Sequence, residues 1–270
     1  RVNLIFDLYK YMKYVGIIQK LWYTSYPLAN GMAVYEYKTR IRYNDVNEDN
    51  RLSNKGLLNI LSEAAGAHSD EVGYSSNTME STNCAWMLLY WKLKIYERPN
   101  WNAKLIIKTW PRAFSKVSSW RDFEVYNETG TKIAIASTEW VLVDAKKGSI
   151  SRITEKMVDE YGIVEKQAFD EEISGKLKEP EDMQKIYEYT AKRRDIDVNH
   201  HVNNVVYLEL AYDALPEDIS VDFNNLEIFY KKQTKLGENV AIFYGKEENA
   251  HIVSVKSSDG KTLHAVLKFF

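Results

Sequence analysis

The chain has one cysteine, Cys84, in 270 residues, so an internal disulfide is excluded and no cysteine cluster can hold a metal. A single thiol suits a reducing compartment, and the expected location is cytoplasmic. Net charge is equally sparse, −2 at pH 7. With so weak an overall field, only a local basic patch would bring the molecule to nucleic acid or an anionic membrane, and neither is expected as a partner. Long hydrophobic runs are also missing. The segment LIFDLYKYMKYVGIIQKLWYTSYPLA (residues 4–29) has no signal-peptide core with a small-residue cleavage site, and charges interrupt it too often for a membrane span.

What the chain has is aromatic and aliphatic bulk: 45% of residues are hydrophobic and 13% aromatic, with 19 Tyr and 7 Trp. That suits packed sheets, in a chain long enough for one large domain or two ordinary ones. The chain opens on Arg1, whereas Met32 follows a glycine and begins a clear strand pattern. Met32 is read as the natural start and residues 1–31 as an extension ahead of it; the alternative is an N-terminal helix packed on the domain.

Val34–Tyr43 alternates as a strand. After a polar loop, with Ser53 or Asn54 as cap, Leu57, Leu58, Leu61, Ala64, Ala65 and His68 form one helical stripe that Gly73 ends. His68 reads as a satisfied core histidine. Four strands follow, Cys84–Ile95, Ala103–Trp110, Ser118–Tyr126 and Lys132–Val143, the last two joined by the turn NETG. Cys84 reads as a buried structural thiol. Residues 151–184 are rich in Lys, Glu and Asp and are expected to be a connector with a helix or two, outside any core. Tyr187–Lys192 resumes as a strand, followed by a helix to Ala214 and strands at Asn225–Thr234, Asn239–Gly245, His251–Ser257 and Thr262–Phe270.

The halves repeat one another. Each reads strand, polar loop, helix, four strands, and the helix starts align at a constant offset of 150: Asp45 on Asp195, Asn54 on Asn204, Leu58 on Leu208. The expected fold class is α+β, a long helix wrapped by a curved antiparallel sheet, twice over, with residues 32–150 and 185–270 as the domains. The polar set of the second loop, Asp197, Asn199 and His201, stands as Asn47, Asp49 and Arg51 in the first. One active site for the pair is therefore expected, in the second half.

The second loop begins RDIDVNHHVNN, and Asn203 or Asn204 caps the helix that follows. A neutral imidazole, amides and a carboxylate beside the positive end of a helix can place a water and hold an oxyanion. The plainer reading is a polar helix cap with a solvent-facing histidine pair.

DVNHHVNNVVY, together with NRLSNKGLLNIL and WKLKIYERPNWNAKLIIKTWP in the first half, resembles the acyl-acyl-carrier-protein thioesterases of plant plastids and bacteria. The resemblance covers nearly all of residues 33–270 and implies a tandem hot-dog fold. It further implies hydrolysis of fatty acyl-carrier-protein thioesters, with acyl carrier protein as partner, no cofactor and no metal. The family's catalytic pattern falls on Asp197, Asn199 and His201. Its further polar pair, Glu-Cys or Glu-Ser, falls on Gln233 and Thr234, so a cysteine nucleophile is implausible and a positioned water is favoured.

In that scheme His201 orients the water or takes its proton, Asp197 orients Asn199 or acts as base, and Gln233 holds the water or the carbonyl. Asn199 and backbone N–H groups near Val202 hold the oxyanion. Thr234, Leu57, Ile60 and Leu61 are the expected acyl-binding residues. Lys192, Arg193, Arg194, Lys231, Lys232 and Lys235 are either a rim for an acidic carrier or ordinary solubilising charges. The rivals are an acyl-CoA thioesterase and a non-catalytic acyl or carrier-binding module; a homodimer is left open.

Overall fold

The computed structural model describes residues 34–270, so the reading of residues 1–31 lies outside the described residues. Side-chain alternation builds β1 (Tyr35–Arg40), which pairs with β3 (Lys104–Phe114). β2 (Cys84–Ile95), β4 (Ser118–Asn127) and β5 (Lys132–Asp144) complete the first half-sheet, and β6 (Ser149–Ile150) adds to β5. The second half contributes β7 (Gln184–Thr190), β8 (Asn225–Tyr230), β9 (Asn239–Glu247), β10 (Ala250–Ser257) and β11 (Leu263–Phe269).

Strand order is β1-β3-β4-β5-β2-β8-β11-β10-β9-β7, antiparallel throughout. Read inward from either edge, the order is the same pattern of equivalent strands. The equivalent strands β2 and β8 meet in the middle, Lys92 opposite Glu227. Two α+β halves with equivalent strand orders are thus present, as the sequence repeat leads one to expect, and they share one continuous sheet.

α1 (Asn54–Glu71) starts at Ser53, whose Oγ accepts the Gly56 N–H, and ends before Gly73 at φ +84°, a left-handed position suited to glycine. α2 (Met79–Thr82) is a single turn, and α3 (Glu155–Tyr161) lies in the connector. α4 (Asn204–Tyr212) is capped by Asn203, Oδ1 accepting from Val205 N at 2.9 Å. It has 9 residues against 18 in α1, shorter than the long helix expected. Its end tightens into turns at Ala214 and Leu215 ahead of Pro216, which cannot continue a helix.

Leu57, Leu58, Ile60 and Leu61 of α1 and Leu208 and Ala211 of α4 pack with Trp91, Ile107, Phe123, Ile228, Val253 and Leu267 from the sheet in one cluster. Each such buried side chain contributes about 1.5–3 kcal/mol.

Three expectations are corrected. Residues 151–184 carry an expected helix, α3, but do not lie outside the core: α3 buries Met157 and Tyr161, and Phe169 is buried. The charges that suggested a connector pin the segment to the sheet, as in Lys92–Glu171 (2.9 Å) and Lys256–Glu179 (2.6 Å). β3 runs on through Pro111 to Phe114, the ladder accommodating the proline at a bulge. β8 stops at Tyr230, short of Thr234, because the N–H groups of Lys231 and Lys232 both turn onto the His264 carbonyl (2.7 and 3.1 Å).

Candidate active site

The aligned loops have one backbone design. Asp45 and Asp195 are buried, and each carboxylate accepts a backbone N–H three residues earlier, from Arg42 (2.8 Å) and Lys192 (2.7 Å). Asn47 N donates to Arg51 O at 2.8 Å and Asp197 N to His201 O at 2.9 Å. Asn50 (φ 61°) and His200 (φ 62°) occupy the same left-handed position. Asn47 Oδ1 accepts from Asp49 N (3.1 Å) and Arg51 N (2.9 Å); Asp197 Oδ1 accepts from Asn199 N (2.9 Å) and His201 N (3.4 Å). The turn therefore needs an Asp or Asn oxygen here and not a charge. The negative charge at Asp197 is free for other work.

Part of that work is orientation, since Asn199 Nδ2 donates to Asp197 Oδ2 at 3.4 Å. His201 is half-buried, and its buried Nδ1 has no protein hydrogen-bond partner among the described residues. Burial lowers its pKa below the usual value, the Asp197 charge opposing this and Lys235 adding to it. The ring is thus neutral at neutral pH and keeps one nitrogen lone pair that can accept a proton. His200 is exposed at the turn.

Val202 N donates to the Thr234 carbonyl at 2.9 Å, clipping the loop to the chain after β8. This N–H is therefore occupied, and the expected oxyanion role for backbone groups near Val202 is withdrawn; Asn199 supplies the available amide. Gln233 is exposed and reaches Met87 Sδ at 3.5 Å. Thr234, expected as an acyl contact, is a buried hydrogen-bonding hub that does not line the cavity described below. Its N–H donates to Tyr207 Oη (3.0 Å), the Tyr207 hydroxyl donates to Thr234 Oγ1 (3.0 Å), and Thr234 Oγ1 lies 2.7 Å from His264 Nδ1. Burial lowers the His264 pKa to about 4. The neutral ring accepts the Thr234 proton at Nδ1 and turns Nε2–H toward Glu238 Oε1, 3.6 Å away.

A cavity of about 420 Å³, within the ordinary range for small-molecule sites, lies against the first half. Its walls come from α1 (Ser62, Ala65, Gly66, Ser69), β2 (Trp86), β4 (Arg121), β5 (Trp140) and α3 (Tyr161), and it reaches Asn199 of the second half. The cavity is composite. Leu57, Ile60 and Leu61, expected along the acyl channel, are no more than 1% exposed in the core and do not line it.

The missed lining residues do leave a trace: Ser62, Ala65, Gly66 and Ser69 fall at i, i+3, i+4 and i+7, a stripe of small residues beside the leucine stripe. A Cβ added at Gly66 meets nothing within 4 Å. Tyr161 had no such signal, sitting in a segment read as connector. Its hydroxyl donates to Ser69 Oγ (2.9 Å) and accepts from Trp86 Nε1 (3.0 Å).

The first loop is closed by the second half. Asn47 Nδ2 bonds the Asp222 carboxylate, and Arg98 holds Leu52 O (2.9 Å), Asn54 Oδ1 (2.8 Å) and Phe223 O (2.8 Å) together. Its turn has become an interdomain seam.

Family models for the acyl-ACP thioesterase N-terminal and C-terminal domains match residues 32–161 and 178–266. The chloroplastic oleoyl-acyl carrier protein thioesterase 2 of Arabidopsis thaliana is 25% identical over 248 residues, 84% of this chain and 67% of that protein. The palmitoyl-acyl carrier protein thioesterase of Gossypium hirsutum is 27% identical over 214 residues, 74% and 52%. The chain thus spans between half and two thirds of these relatives' length. In fold it is similar to the 12:0-ACP thioesterase of Umbellularia californica (TM-score 0.75, 21% identity, 90% of this chain and 98% of that one). An acyl-ACP thioesterase of Bacteroides thetaiotaomicron gives 0.73, 24%, 88% and 97%. With two consecutive domain models of one family along a double hot-dog fold, the chain belongs to the acyl-ACP thioesterases, a family of thioester hydrolases.

Proposed function

We propose that this chain hydrolyses the thioester of a fatty acyl-acyl-carrier protein, releasing free fatty acid and the carrier thiol, by direct attack of a positioned water. The observation that carries the reading is a cavity lined both by α1 of one half and by Asn199 of the other half's Asp-x-Asn-x-His loop. His201 takes a proton from water as its oxygen attacks the carbonyl carbon. Asn199 Nδ2, with one hydrogen on Asp197, offers the second to the developing oxyanion; a donor of this kind supplies about 2.7–4 kcal/mol. Collapse breaks the C–S bond, and the His201 proton passes to the leaving sulfur. Gln233 holds water or carbonyl by its amide without taking a proton.

Exposed Lys192, Arg193, Arg194 and Lys235, with half-buried Lys231 and Lys232, flank the loop and fit an acidic carrier. Arg194 also lies 3.7 Å from Asp195, and Lys232 lies 3.7 Å from Glu238. One chain supplies both walls of the site, so the reading needs no second copy. The setting is a reducing aqueous compartment, cytoplasmic on the sequence expectation; no helix among the described residues is long and apolar enough to cross a membrane.

Turnover compared on carrier-linked and CoA-linked forms of the same acyl group tests the proposal. A clear preference for the carrier form is expected. Equal or better turnover of the CoA form refutes the carrier assignment, and tight carrier binding with no turnover points to the binding module.

A further inference from the structure

One wall of the cavity does not suit a plain hydrocarbon chain. Arg121, on β4, is 6% exposed, and it lines the cavity. Buried guanidinium groups are ordinarily paired with carboxylates, because removing the charge from water is costly. Among the described residues no carboxylate comes within 4.0 Å of this one.

Its contacts are neutral. Arg121 Nη1 bonds His68 Nδ1 (3.0 Å) and Thr109 Oγ1 (3.1 Å), and its guanidinium lies 5.8 Å from the Tyr161 ring centre. His68 cannot serve as a counterion, since an imidazole is neutral or cationic and never anionic. The adjacent carboxylate, Asp122, is taken by Arg112 (3.1 Å), Ser137 (2.6 Å) and Ala168 N (2.8 Å). Asp70, the carboxylate that lines the cavity, is exposed and held by Ser75 and Asn77. Ser62, Ser69, Ser119 and the Tyr161 hydroxyl add further polar groups to the cavity lining.

We propose that the cavity takes an acyl chain bearing an acceptor oxygen on its inward part, best a carboxylate, with Arg121 as the specificity-determining contact. This rests on reading the cavity as the acyl site. Asn199 and Arg121 line one cavity, so an acyl chain that fills it from a thioester at Asn199 shares that space with the guanidinium, whose planar fork matches a carboxylate in two hydrogen bonds. Hydroxyl and keto groups on the chain offer the same acceptor with less charge.

The test uses neutral-headed probes so that no carboxylate at the thioester end confuses the result. The monomethyl ester of a saturated dicarboxylic acid is compared with the methyl ester of the monocarboxylic acid of equal length. Binding is followed by quenching of tryptophan fluorescence, since Trp86 and Trp140 line the cavity. The free-carboxylate probe is expected to bind about 10–100-fold more tightly, the range of a charge-assisted hydrogen bond, and Arg121→Met to abolish the difference. Equal or weaker binding of the carboxylate probe to the wild-type protein overturns the proposal, whether or not the variant folds. A preference that survives Arg121→Met overturns it as well. If neither probe binds, the acyl-site reading itself fails; if only the plain ester binds well, that reading stands and the Arg121 inference falls alone.

Discussion

Thr234→Val removes one hydroxyl from a side chain 2% exposed while keeping its shape. Two hydrogen bonds disappear, from the Tyr207 hydroxyl (3.0 Å) and to His264 Nδ1 (2.7 Å). Each buried group left unpaired costs about 1–3 kcal/mol, bounding the loss at about 2–6 kcal/mol. The upper end is not reached, because Tyr207 Oη still accepts the residue 234 N–H. A loss of about 3 kcal/mol is expected, which at about 2–4 °C per kcal/mol for a chain this size lowers Tm by about 6–12 °C. Thr234→Ser keeps both bonds and sheds one methyl group, costing about 0.8 kcal/mol. Urea and thermal unfolding of the three proteins, followed by circular dichroism, make the comparison. Activity of the folded valine variant should fall less than about tenfold, because the carbonyl that accepts Val202 N is untouched. A valine variant within about 0.5 kcal/mol of wild type, or a serine variant as damaged as the valine one, refutes the hub.

Asp197→Asn should leave unfolding unchanged within about 0.5 kcal/mol, since Asn47 makes the same turn in the first half, while kcat falls about 100-fold or more. Loss of the Asp197 charge lowers the His201 pKa further, so the acid limb of the kcat/KM profile should move to lower pH. An unshifted limb with full activity would show the charge to be idle.

Gly56→Ala places a Cβ 2.1 Å from the Asp45 carbonyl oxygen and should cost more than about 3 kcal/mol, whereas Gly66→Ala, opening on the cavity, should stabilise by about 0.4–1 kcal/mol; paired urea titrations check the contrast. Burial and Arg121 hold the His68 pKa to about 3, and burial holds His264 to about 4, both below the usual 6.5. The unfolded chain therefore takes up protons first, so their stabilising contribution is full above about pH 6.5 and is lost as pH falls toward 3–4, by up to about 1.4 kcal/mol per pH unit for each. Urea unfolding at pH 7 and pH 5 should differ by about 2–4 kcal/mol; equal values contradict the buried neutral rings.

The repeat was legible because the residues that shape the turn, Asp45 and Asp195, are the ones that align. The turn that carries the candidates Asp197, Asn199 and His201 was legible for the same reason, since the first copy duplicates its geometry. The cavity was not, because it consists of volume that small side chains leave empty. Leu57, Ile60 and Leu61 were expected along it since an apolar stripe looks the same whether it packs a core or lines a channel; Ser62, Ala65, Gly66 and Ser69 on the next stripe open the space. The buried position of Thr234 was not legible, because nothing in the sequence shows that His264, thirty residues on, folds against it. Residues 151–184 hid Tyr161 for a related reason: their charges meet partners on distant strands.

The most direct test of the catalytic assignment is hydrolysis of a panel of acyl-carrier proteins, from short to long chains, by the wild-type protein and by His201→Ala. Turnover on some chain length, falling by about 10²–10⁴-fold in the variant, is the result expected of a water-activating His201. Turnover of the same size in both proteins contradicts it.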